Sequence, residues 1–222
     1  ALAAVLARRL PRRNLPTVNL GYWALLGSLY RLLATERVLR VRGMIALLMF
    51  AAFSAFWTAL VLPLSAPPHA LTHTAVGAFG LVGVVGVLMA ARAGRLADGG
   101  HGERTTAAGL ALLCLAWAPI ALLEQSLWAL ALGVLVLDVA MQALHVTNQT
   151  MIFSISAQAH SRLVGGYMMF YAAGSGLGSI AATAVYAQAG WLGVCVLGAG
   201  ISLTALLFWA ATLPRGASPR FV

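Results

Sequence analysis

Apolar residues gather into six long blocks, at about 43–64, 71–93, 105–123, 126–150, 163–187 and 190–213. Each is close to the roughly 20 residues that a helix needs to cross a hydrocarbon layer ~30 Å thick. The interruptions between them have local causes. Pro63, Pro67 and Pro68 end the first block, and the run Gly94 to Gly102 separates the second from the third. Glu124 and Gln125 mark a tight turn, His160 to Arg162 precede the fifth block, and Gly190 with Trp191 opens the sixth. Gly and Pro are the strongest local breaks in a periodic pattern. The pattern predicts an all-α, polytopic membrane protein with a six-helix bundle over 43–213.

Residues 1–42 read differently. Ala1 to Ala7 suit the last turns of a preceding span, and Leu10-Pro11-Arg12-Arg13 leaves the membrane. From Leu20 to Val41, Trp23, Leu26, Leu29, Tyr30 and Leu33 alternate with Arg31, Glu36, Arg37 and Arg40. That spacing predicts an amphipathic helix along the membrane surface; a solvated basic linker is the alternative. Residues 214–222 form a short basic tail. The chain opens on Ala1 rather than Met, so processing or a longer parent is expected, and no cleavable signal peptide fits.

Charge changes the picture next. Only 9% of residues are charged and 61% are hydrophobic, with mean hydropathy +0.91, against about 25% charged in a soluble domain. The net charge of +9 would suit nucleic acid, but its placement argues against that partner. All 14 basic residues are Arg. Eight lie in 8–42, three are Arg92, Arg95 and Arg104, and the rest are Arg162, Arg215 and Arg220. The loops at 65–70, 124–125 and 188–189 carry none. The positive-inside rule then puts both termini in the cytoplasm. Abundant Ala, Arg and Gly without Lys suggest a GC-rich bacterial gene, hence the plasma (inner) membrane.

Inside the fourth block stands Asp138, about twelve residues in and ~18 Å below the turn near Ser126. Gln142, His145 and Gln149 follow at i+4, i+7 and i+11, so at ~100° per residue the four fall within a sector of about 60°. Ionisable groups at such depth are costly and usually face a bundle interior, a water-filled cavity or an ion path. Packing against a neighbouring helix is the plainer reading. Glycines suggest close helix contacts and a 3+3 inverted repeat: Gly77, Gly80, Gly83 and Gly86 in the second block, Gly174, Gly176 and Gly178 in the fifth, each the middle of a three-helix unit.

The segment Gly94-Arg95-Leu96-Ala97-Asp98 through Arg104 resembles the loop signature of the major facilitator superfamily. It lies between the second and third helices, where that signature belongs. Gly94, Leu96 and Asp98 match, whereas Gly99 stands where a basic residue is usual and Arg104 comes one residue late. The long basic segment before the first helix and the glycine-rich fifth helix also resemble that fold. The resemblance implies the C-terminal six-helix half of a twelve-helix transporter, with an N-terminal half as missing partner. Asp138 to Thr150 (DVAMQALHVTNQT) is similar to drug-efflux-type members.

On that resemblance, the chain is expected to move a small molecule across the bilayer by proton-coupled efflux. A carboxyl group in low dielectric favours its neutral form, and His titrates near neutral pH. Asp138 and His145 are therefore the expected proton-coupling pair. Gln142, Asn148 and Gln149, with Trp57 and Tyr171, are the expected substrate-cavity wall; Tyr167, Tyr171, Tyr186 and Trp57 also suit interfacial anchors. Gly94, Leu96, Asp98 and Arg104 are the expected gating loop, and Gly77, Gly80, Gly83, Gly86, Gly174 and Gly178 the packing glycines. No catalytic residue, cofactor or metal site is expected: His69 and His73 have no acidic or Cys neighbour, Cys114 and Cys195 lie in apolar runs, and no HExxH or Walker motif occurs. The sequon Asn148-Gln149-Thr150 lies within a span and is a chance match. Two other classes remain: a non-transporting or truncated membrane subunit, and an intramembrane serine protease using Gly174-Ser175-Gly176 with His145.

Overall fold

The computed structural model describes residues 22–82, 92–156 and 159–213, and among these every regular element is helical. The elements are α1 (Tyr22–Thr35), α2 (Arg37–Ser65), α3 (His73–Val82), α4 (Gly102–Ala121), α5 (Leu127–Phe153) and α6 (His160–Thr212). Residues 92–96 are helical and lead through a π turn, Ala97–His101, into α4. Four described stretches are long and apolar enough to cross a membrane: Arg37–Ser65, Arg92–Ala121, Leu127–Phe153 and His160–Thr212. A straight helix of the 53 residues of α6 would be about 80 Å long, more than two hydrocarbon thicknesses. Gly190, at φ 60° and ψ −156°, breaks it into arms 160–189 and 191–212. That backbone is strained for any residue with a Cβ, which is why the expected fifth and sixth helices part at Gly190.

Several boundaries differ from those expected. The first span begins at Arg37 rather than residue 43, and the surface helix ends at Thr35. Glu36, extended at φ −87° and ψ 99°, separates the two. The early start is possible because Arg42, 3% exposed, has partners inside the bundle. Pro63 lies within α2 and does not end it; the helix continues to Ser65. The run 94–104 is not an open loop. It is helix, π turn and helix, with Gly100 at φ 82° supplying the one sharp bend. The middle of the expected second helix, with Gly83 and Gly86, lies outside the described residues, as do residues 1–21 and 214–222. Ser126 caps α5, accepting from Ala129 N at 3.3 Å.

Helices in lipid gain little by hiding apolar surface from one another, so contact rests on van der Waals fit and interhelical hydrogen bonds. α2 packs most extensively on α6, and α4 on α5. The α2–α6 seam is tight because α6 presents glycines: a Cβ on Gly174 would strike the Leu47 backbone, and one on Gly178 the Ala51 backbone. Thr58 Oγ1 donates to Ser179 Oγ across the same seam at 2.9 Å. At the Arg-free end an aromatic core forms round Phe56, with Trp57, Trp117 and Trp191 at 5.1, 6.3 and 6.2 Å between ring centroids. Two of these indoles have acceptors, Trp117 Nε1 on Ser202 Oγ at 3.0 Å and Trp191 Nε1 on the Ile120 carbonyl at 3.1 Å, whereas Trp57 Nε1 is buried without one among the described residues.

The opposite, basic end is tied by a polar knot that the sequence reading did not foresee. Arg42 pairs with Glu103 through Nη2, and its Nη1 donates to Thr106 Oγ1 at 2.8 Å. Trp209 Nε1 donates to the other Glu103 oxygen at 2.8 Å. Arg37 Nη2 reaches the Thr212 carbonyl at 2.9 Å. The starts of α2 and α4 and the end of α6 therefore meet at one level.

Candidate functional site

The polar stripe of α5 faces α2 and α6 across a cavity of about 240 Å³. Asp138, Met141, Gln142 and His145 line it from α5, Phe50 and Phe53 from α2, and Tyr171 from α6. Asp138 is 7% exposed, and its Oδ2 is buried without a hydrogen-bond donor among the described residues. An unpaired buried carboxylate is among the costliest groups a fold can hold, so a proton, a cation or a donor brought by a ligand would be stabilised there.

His145 stands two turns further along α5, ~10 Å of rise from Asp138. Its Nδ1 lies 3.1 Å from Tyr167 Oη, and its ring meets Phe50 edge-on at 5.4 Å. Phe50 also packs on Tyr171 at 4.0 Å. Asp138 and His145 are too far apart for direct exchange; Gln142, between them on the wall, is placed to bridge them with a ligand or water. The cavity is small beside the 300–1,000 Å³ typical of ligand pockets.

Four of the seven residues expected on the proton path and the cavity wall thus meet at the cavity: Asp138, Gln142, His145 and Tyr171. The other three lie elsewhere. Asn148 is fully buried between α5 and α2, its Nδ2 directed at Met49 Sδ at 3.8 Å. Gln149 is half-buried outside the lining. Trp57 meets Phe53 and Phe56 edge-on, at 6.1 and 5.1 Å between ring centroids, one turn beyond the cavity. Phe50, Phe53 and Met141 were not foreseen. Phe50, Phe53 and Trp57 recur at i, i+3 and i+7, an aromatic stripe on one helical face that was visible in the sequence.

The expected gating residues divide between two cavities at the basic end. Asp98 faces one of about 550 Å³ with Glu103, Thr150 and Ser154. Leu96 and Arg104 line another of about 380 Å³. Gly94 packs on α5, where a Cβ would lie 3.3 Å from Val146 Cγ1. Gly77 and Gly80 have nothing within 4 Å of an added Cβ, unlike Gly174 and Gly178. Gly174, flanking Ser175, is occupied in the seam with Leu47. Among the described residues no group of three His, Cys, Asp or Glu side chains forms a metal cluster. Cys114 and Cys195 are free thiols.

The described residues thus form helices, four stretches of them long and apolar enough to cross a membrane, with a buried acid beside a small cavity between them. The relatives agree with a membrane-spanning chain. The chain is 41% identical over 208 residues to the uncharacterized transporter YgaY of Escherichia coli O157:H7, covering 94% of this chain and 52% of the relative. The YgaY protein of Escherichia coli (strain K12) matches to the same extent. The protein named probable transporter SCO4007, from Streptomyces coelicolor, is 33% identical over 170 residues, covering 76% of this chain and 39% of the relative. The chain therefore spans about half the length of the Escherichia coli relatives. No protein-family model matches it.

Proposed function

We propose that the chain is the C-terminal six-helix half of a major-facilitator-type secondary transporter in a bacterial inner membrane. It exports a small molecule by alternating access, in exchange for protons, with both termini cytoplasmic. The observation that carries this reading is Asp138: buried at mid-helix, lining a cavity, with one carboxylate oxygen that no donor satisfies. Trp57 Nε1, Thr147 Oγ1 and Asn148 Oδ1 are also buried without partners among the described residues, but Asp138 Oδ2 belongs to a carboxyl group, and an unmet buried charge costs several kcal/mol.

Transport in general is supported by the names of the relatives, and a half-length chain by the share of them it spans. The proposed N-terminal half supplies the second wall of the cavity. Asp138 takes a proton from water when the cavity opens outward and gives it up to water on the cytoplasmic side when substrate enters there, so occupancy by proton and by substrate alternate. Gln142 and His145 hydrogen-bond a polar part of the substrate, and Phe50, Phe53 and Tyr171 cover an apolar part. The turn at 94–104 is the proposed gate at the cytoplasmic side.

The test is one-sided access. With Cys114 and Cys195 changed to Ala, Gln142→Cys is placed in the chain joined to its proposed N-terminal half and probed in oriented vesicles with a membrane-impermeant maleimide. Alternating access gives labelling from either side, and a transported compound shifts the ratio. Labelling from one side only, unmoved by every compound in a panel of dyes, drugs and sugars, contradicts it.

A further inference from the structure

The cavity of about 380 Å³ beside the π turn is built unlike the central one. Its mouth carries Arg92, His101 and Arg104, all exposed, from the two sides of the bend at Gly100. Below the mouth the walls are apolar: Leu96, Ala108 and Leu112 on one side, Val139 and Ala143 of α5 on the other. From Thr105 to Leu112 the groove follows α4 for two turns, about 10 Å, most of the ~15 Å depth of one leaflet. It opens at the basic end of the bundle, the end that faces anionic lipid headgroups under the positive-inside rule.

We propose that this groove binds one anionic phospholipid. Arg92, Arg104 and His101 hold its phosphate, and an acyl chain lies along Leu96, Leu112 and Val139. The two parts of the groove do different work. An acyl chain leaving bulk lipid for an apolar groove gains little, because both surroundings are hydrocarbon. The tail therefore supplies fit, and the cationic mouth supplies the choice among headgroups. Free phosphate would use the mouth alone and leave the apolar walls uncovered. Val139 and Ala143 follow Asp138 and Gln142 by one residue, so they lie about 100° round α5 from the central stripe. The lipid site is thus separate from the central cavity but shares a helix with it. The proposal stands whether or not the chain transports anything.

The test is native mass spectrometry of the purified, delipidated chain in detergent. Phosphatidylglycerol and phosphatidylcholine with identical acyl chains are the probes, and inorganic phosphate is the competitor. Phosphatidylglycerol should be retained as one tight adduct, at least ~10-fold over phosphatidylcholine. At about 1 kcal/mol for each basic residue near the headgroups, Arg92→Gln should weaken it ~5-fold and Arg92→Gln with Arg104→Gln ~25-fold. Ala108→Trp, at an exposed position, should lower retention by filling the groove with all charges intact. Arg31→Gln, exposed and outside the groove, should leave retention unchanged. Equal retention of both lipids, an unaltered adduct in the double variant, or displacement of the lipid by millimolar phosphate overturns the proposal. Each variant's thermal unfolding midpoint separates loss of the site from loss of the fold.

Discussion

Gly178→Val puts a branched side chain where α2 and α6 are closest. The first added carbon alone would collide with the Ala51 carbonyl oxygen and lie 2.7 Å from its C and Cα, against ordinary contact at 3.4–4 Å. The obstacle is backbone, so no rotamer relieves it, and the helices must part locally by about 1 Å. A radial gap of 0.5–1 Å forfeits a quarter to a half of each van der Waals well of 0.1–0.2 kcal/mol. Over the ~40–60 atom pairs of one buried side chain, that is about 1–6 kcal/mol, in the range of measured overpacking. The central expectation is ~3 kcal/mol. The assay is reversible unfolding in mixed micelles, with Gly176→Val as control, because nothing lies within 4 Å of a Cβ at Gly176. Equal stability of the two variants would refute the close-packed seam.

Glu103→Gln leaves the buried Arg42 guanidinium with neutral acceptors, the new amide oxygen and Thr106, and removes the negative charge that pairs with it. Because Glu103 is 48% exposed, the loss is expected at ~1–3 kcal/mol by thermal unfolding, and Arg42→Met with Glu103→Gln should recover part of it. Ser202→Ala removes the acceptor of the Trp117 indole and should cost about 1–3 kcal/mol, visible as increased near-ultraviolet and fluorescence changes of Trp117 on mild heating. Tyr167→Phe removes the hydroxyl 3.1 Å from His145 Nδ1 and should lower transport while leaving the unfolding midpoint within a few degrees; unchanged transport would exclude His145 orientation as its role. Gly190→Ala forces a Cβ into φ 60° and ψ −156° and should destabilise by about 1–3 kcal/mol.

What was legible in the sequence follows from how far each signal reaches. The break at Gly190 and the four described stretches of membrane-crossing length depend on local breakers and apolar run length, which are chain-local; the middle of the expected second helix lies outside the described residues. The coincidence of Asp138, Gln142 and His145 on one face is also local, set by 3.6 residues per turn. What faces that stripe is a matter of tertiary packing. Asn148 and Gln149 belong to the same helix, yet Asn148 is buried against Met49 and Gln149 lies outside the cavity. The Arg42–Glu103–Trp209 knot joins residues 61 and 106 positions apart, and no periodicity announces it. Counting Arg42 among the loop charges hid its burial and moved the expected helix start to residue 43. Proline misled in the opposite sense, since Pro63 sits in the last turn of α2 without ending it.

Proton movement linked to substrate bears most directly on Asp138. The chain, joined to its proposed N-terminal half, would be reconstituted in proteoliposomes with a pH-sensitive dye inside. A panel of dyes, drugs and sugars would then be applied to wild type and Asp138→Asn. Substrate-dependent pH change in the wild type and its loss in Asp138→Asn, with both proteins equally stable, is the expected result. Equal proton flux in both would place the coupling elsewhere and leave Asp138 a packing residue.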